Sequence, residues 1–206
     1  MKTKKQILRI TQTAMLLGLT VATQYYLTGM LSFNAYLSQL VVGSLVNMFL
    51  ILATLMCGFW SGFSISVLVS VISFAIGRMP HIWMIPFVSL GNIAIVFIFW
   101  LICNKKMFGS FFTVNWAVAS VAGAVFKFAV LWLGVTKIFI NFILVNDSAL
   151  KAPQIAKMTS VISFNYSFPQ LATSLIGCIL VYALYPVLKK AVIENNKSKK
   201  KVNAKN

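Results

Sequence analysis

Acidic side chains are almost missing from this sequence: only Asp147 and Glu194 occur among 206 residues, against 18 lysines and arginines, for a formal charge of +16. Histidine occurs once, at position 81, and the three cysteines, Cys57, Cys103 and Cys178, lie far apart in apolar runs. Each shortage removes a class of chemistry. No apolar run holds a carboxylate, so general acid/base pairs and metal-ligand clusters lack their parts. An odd number of scattered cysteines builds neither a disulfide framework nor a CxxC metal site, and the three are read as packing residues. The Gly-rich phosphate loop ending in GK[ST] is also missing, so any ATP hydrolysis must be supplied by a partner. His81 follows Pro80 in a short polar break and is read as a solvated or interfacial loop histidine. The chain is read as a non-enzyme that binds no cofactor of its own.

What is abundant is apolar length. Hydrophobic residues make up 60% of the chain, too many for a water-facing surface, and they come in repeated runs of about 20, the length that crosses a hydrocarbon core as a helix. The expected fold is all-α, an integral membrane bundle of six transmembrane helices at about 7–26, 39–56, 60–77, 84–103, 113–135 and 165–187. One membrane domain spans 1–190, and a lysine-rich tail, 191–206, is expected to be disordered. Lysines precede the first run as in a signal peptide, but no small-residue cleavage site follows, so the run is read as a retained span.

Charge gives the orientation. Lys2, Lys4, Lys5 and Arg9 precede the first span, Lys105 and Lys106 join the fourth to the fifth, and seven lysines follow Val187. The positive-inside rule makes these segments cytoplasmic, and with them both termini. The opposite segments, 27–38, 78–83 and 136–164, hold only Arg78, Lys137, Lys151 and Lys157 as cations. They are expected to be long outer loops that could cover a site. Concentrated this way, the positive charge describes topology and contact with a lipid surface, not a nucleic-acid face.

Lys127 is the most informative residue, because an ammonium inside a span costs about 3 kcal/mol or more unless it is paired, wetted or able to snorkel. From the cytoplasmic start of its span it lies about 20 Å in, roughly 10 Å below the outer face. The same rise per residue puts Asn47 and Asn92 about 12 Å, and Gln170 about 8 Å, below that face. Four polar side chains on four spans thus share a depth. They either converge on a pocket open to the outside or serve separately, Lys127 snorkelling and the amides joining helices. Tyr36, Trp83, Phe164 and Tyr166 are placed to stack on a flat ligand from the outer segments or to form an interfacial belt. Pro169 beside Gln170 marks either a pocket rim or the start of a helix. In the first span Ala14, Gly18 and Ala22 recur every four residues and make a smooth face, for packing inside the bundle or against another protein.

In this layout the chain resembles the S component of an energy-coupling factor (ECF) transporter, the membrane subunit that captures a vitamin or related micronutrient. The resemblance rests on Ala14/Gly18/Ala22, on Gly43-Ser44-Leu45-Val46-Asn47, on Pro86 through Leu90-Gly91-Asn92, and on Pro169-Gln170-Leu171 followed by Gly177. It implies a prokaryotic plasma-membrane protein that takes its substrate from the outside, under the loop joining the first two spans and among spans four to six. It also implies that the small-residue face meets a transmembrane coupling subunit joined to two ATPase subunits, which use the ATP. The substrate-binding candidates are Lys127, Asn92, Gln170, Asn47, Tyr36, Trp83 and Tyr166. Two other readings stay open: a self-sufficient secondary transporter of a small anionic solute, and a membrane enzyme or assembly protein outside transport.

Overall fold

The computed structural model describes residues 2–109, 112–147 and 150–203, with side chains described over 6–109, 112–147 and 150–190. Among them every regular element is helical. Helix α1 (Lys2–Ala22) runs on through a wider π-helical turn, Thr23–Leu27, to Met30. Next come α2 (Ala35–Cys57), α3 (Phe59–Ala75), α4 (Met84–Phe99, continued by Trp100–Asn104) and α5 (Phe112–Leu131, continued by Trp132–Leu144). A shorter α6 (Ala152–Asn165) precedes the long α7 (Phe168–Asn203). The stretches Ala35–Cys57, Met84–Asn104, Phe112–Leu144 and Ala152–Lys190 are long and apolar enough to cross a membrane, and Phe59–Ala75 is a shorter apolar helix. With α1 they make the six-span, all-α membrane bundle.

Helix α2 is central, packing on α1, α3, α4 and α7. It starts where the side chain of Asn34 accepts a hydrogen bond from the Leu37 N–H at 3.0 Å, a cap for one of the orphan donors at a helix start. It ends at Gly58, whose φ of +103° turns the chain straight into α3 as a tight hairpin. Helix α7 approaches α2 closely because Gly43 and Gly177 lack side chains. A Cβ on Gly177 would stand 2.8 Å from Asn47 Cβ and 2.9 Å from the Ser44 carbonyl oxygen.

The outer segments differ from expectation in a way that matters. The expected long loop between the first two spans shrinks to 31–34, because α1 stays helical to Met30 and Asn34 caps α2 at once. The segment 136–164 is mostly helix. No proline or glycine interrupts the chain between Gly134 and Leu144, and buried Val135, Phe139, Ile140 and Leu144 keep one apolar face as α5 winds on to Leu144. Pro153 then sits in the first turn of α6, whose Gln154 side chain accepts from the Lys151 N–H at 3.0 Å. These outer helices bury Met79, Met84, Leu131, Phe139 and Ile162 in one apolar cluster that roofs the bundle. The tail expected to be disordered continues helix α7 to Asn203, in keeping with the good helix propensity of lysine, and its last three residues lie outside the described ones.

Candidate functional site

Under that apolar roof a polar centre joins five helices. Lys127, 3% exposed, sits on α5 and donates to Asn47 Oδ1 of α2 at 2.6 Å and to Asn92 Oδ1 of α4 at 2.8 Å. The two amides relay outward: Asn47 Nδ2 points to Thr173 Oγ1 of α7 at 3.5 Å, and Asn92 Nδ2 to Ser70 Oγ of α3 at 3.4 Å. Distances of 2.6 and 2.8 Å mark charge-assisted bonds, whereas those at 3.4 and 3.5 Å are weak. Snorkelling is thereby excluded for Lys127, since its ammonium is held at the centre by two neutral oxygens. No carboxylate stands beside it: Asp147 is engaged with His81 Nε2 at 3.1 Å, and Glu194 lies in the continuation of α7 beyond the sixth span.

The ammonium faces a cavity of about 80 Å³ lined by Asn47, Asn92, Lys127, Tyr166 and Gln170 among others. Five of the seven sequence candidates therefore come together, on four helices and the turn before α7. The remaining two do not. Tyr36 is half exposed and packs against Phe164 with ring centroids 6.0 Å apart, and Trp83 is 58% exposed in the outer loop; neither lines the cavity. Pro169 lies in the first turn of α7, and Gln170 turns its Nε2 to the Asn165 carbonyl oxygen at 3.2 Å.

The sequence reading did not place four of the polar lining residues at the site, namely Gln24, Gln39, Ser73 and Arg78. Gln24, which seemed only to close the first apolar run, is 4% exposed and donates from Nε2 to Ser73 Oγ at 2.7 Å, while its Oε1 has no partner among the described residues. Arg78, read as an outer-loop cation, turns inward from the short 76–83 connection and lines the cavity with Nη1 buried and likewise unpartnered. Burial pulls its guanidinium below the ordinary range, although such a group keeps its charge. Ser73 and Gln39 complete the four. Gln24 and Arg78 also border a larger recess of about 630 Å³ on the outer side, lined further by Tyr25, Tyr26, Met30 and Ile76. They therefore stand between recess and cavity. The available signal was period: Leu16, Thr20 and Gln24 recur every four residues and are the buried stripe of α1.

His81 has a structural role. Its Nε2 meets Asp147 Oδ2, its Nδ1 accepts from the Trp83 N–H at 3.3 Å, and its ring lies 5.3 Å from that of Phe139. The 76–83 connection is thus tied to the outer end of α5. No group of three or more histidine, cysteine, aspartate or glutamate side chains that could hold a metal is found among the described residues.

On the far side of α1, Ala14, Gly18 and Ala22 are all exposed, and a Cβ on Gly18 would meet nothing within 4 Å. At 100° per residue they lie opposite the Leu16/Thr20/Gln24 stripe. Of the two readings open for this face, packing inside the bundle does not hold, because α1 turns a different face to the bundle.

A family model described as ECF transporter, substrate-specific component matches residues 8–189, which is nearly the whole chain. No curated protein and no solved structure matches it significantly. The chain belongs to that family: it is the substrate-specific membrane component of an ECF transporter, a transport subunit and not an enzyme.

Proposed function

We propose that this member of the ECF substrate-specific family captures a vitamin or related micronutrient from the outside, at the cavity around Lys127, and delivers it inward. Membership carries association with membrane coupling and ATPase subunits and a small-molecule substrate. The placement of the site rests on one observation, the convergence of Asn47, Asn92 and Lys127 from three helices on a cavity that the outer recess adjoins. A substrate enters through the recess, passes Gln24 and Arg78, and meets Lys127, while Tyr166 and Gln170 close the side formed by α7. At about 80 Å³ the inner cavity falls short of the roughly 300 Å³ at which drug-sized ligands are usually enclosed. Binding therefore moves the 76–83 connection or the outer end of α1.

The exposed Ala14/Gly18/Ala22 face is assigned to the transmembrane coupling subunit, since small side chains allow close helix approach where lipid offers no hydrophobic gain. This chain binds no cofactor, and ATP is used by the two ATPase partners. The setting is a prokaryotic plasma membrane. A secondary transporter is disfavoured by the lack of intramembrane carboxylates on which ion coupling often relies.

The test is to purify the chain alone and with coupling and ATPase subunits, then to screen micronutrients by thermal shift and by ATP-dependent uptake into vesicles. Co-purification of those subunits and stabilisation by one micronutrient are expected. If no micronutrient binds and no subunit co-purifies, the reading fails.

A further inference from the structure

The chemistry gathered at the cavity constrains what it can hold. Two cations, Lys127 and Arg78, line it, and none of its lining residues is acidic. The chain cannot neutralise them itself, since of its two carboxylates one is engaged by His81 and the other lies beyond the sixth span. Of the three donors of the Lys127 ammonium, two are used by Asn47 and Asn92. The buried Nη1 of Arg78 is a second unused donor, and the buried Oε1 of Gln24 is an unused acceptor. A buried polar atom without a partner is costly, and an unpaired buried charge more so.

We propose, on the premise that this cavity is the capture site, that its ligand is a small organic anion, a carboxylate that also carries an N–H or O–H donor. The carboxylate lies between Lys127 and Arg78, supplying the charge that the protein lacks. The donor meets Gln24 Oε1. A neutral isostere would leave both cations facing a dipole, and a cation would add a third positive charge beside the buried Lys127, where like charges are poorly screened. Discrimination therefore comes from charge first and from shape second.

The experiment uses the full chain in lipid nanodiscs with matched pairs of acid and neutral analogue: nicotinate and nicotinamide, biotin and its amide, pantothenate and pantothenol. Small molecules that co-purify with the chain are identified in parallel by mass spectrometry. The expected result is that one acid, from the panel or co-purified, binds at least roughly tenfold more tightly than its neutral partner, the scale of a lost hydrogen bond to a charged group. Arg78→Gln and Lys127→Met should each weaken the acid by a similar factor and leave the neutral analogue unchanged. Arg78→Gln lies in a connection outside the bundle, so it reports even where the Lys127 variant folds poorly. A neutral or cationic ligand, bound equally well by wild type and Arg78→Gln, overturns the inference while leaving capture intact. So does the absence of any bound anion when the coupling subunits do co-purify; if they fail to co-purify as well, the capture reading falls with it.

Discussion

At the scale of single residues, Lys127 shows how a costly side chain is accommodated. Its ammonium costs about 3 kcal/mol or more in a span, and each intramembrane hydrogen bond returns only about 0.6 kcal/mol on average, so two bonds to amide oxygens do not offset the burial. Stability is not what this lysine supplies. Lys127→Met is accordingly expected to leave the yield of folded protein and its melting temperature near wild type, while weakening binding of the acid about tenfold. A collapse of folded yield measured by size-exclusion fluorescence would instead make the lysine a structural rivet. The sequence alone marked Lys127, Asn47, Asn92 and Gln170, because depth in a helix follows from counting residues. It did not mark Arg78, whose inward turn depends on how the 76–83 connection folds, nor Gln24, although the four-residue spacing with Leu16 and Thr20 carried its signal.

At the scale of elements, glycine placement governs how closely helices can approach. Gly177 lets α7 lie against α2 at the level of Asn47, which sets the Asn47–Thr173 contact. Gly177→Leu would drive a branched side chain into Asn47 and the Ser44 carbonyl, overpacking that costs about 1–3 kcal/mol. A lower melting temperature and weaker ligand binding together are the expected outcome, read by thermal shift with and without ligand. Gly18 is the opposite case, because its neighbourhood within the chain is empty. Gly18→Leu should spare melting temperature and ligand binding but prevent co-purification with the coupling subunit. Retained assembly would place the partner on another face. Periodicity identified the small face, and apolar length the helices. It did not separate a lipid-facing stripe from a packed one, because both satisfy the same four-residue spacing.

At the scale of the whole molecule, sidedness rests on lysine distribution and can be measured. In a background with Cys57, Cys103 and Cys178 replaced by alanine, Phe33→Cys should react with an impermeant maleimide in intact cells. Lys106→Cys should react only after permeabilisation. The reverse pattern would invert the topology and put the cavity on the cytoplasmic side. Phe33 is well exposed in the short 31–34 connection, which makes it a fair reporter of that surface. The apolar roof made by the end of α5, α6 and the 76–83 connection gives this outer half its shape, and His81 with Asp147 ties two parts of that roof together.

The sequence by itself determined that this chain lies in a membrane, how many times it crosses, and that it lacks catalytic sets, and its lysines set the expected side for its ends. Those properties follow from sums along the chain, of apolar length, of lysines per loop and of missing carboxylates, and sums do not depend on which helices touch. The tertiary structure decided that Lys127 is shared by Asn47 and Asn92, that Gln24 and Arg78 join them while Tyr36 and Trp83 stay outside, and that the small face of α1 looks away from the bundle. Each of these depends on the rotation of a helix about its axis and on which neighbour it meets. Such rotations are set by packing between segments distant in the chain, and so local spacing carries no record of them.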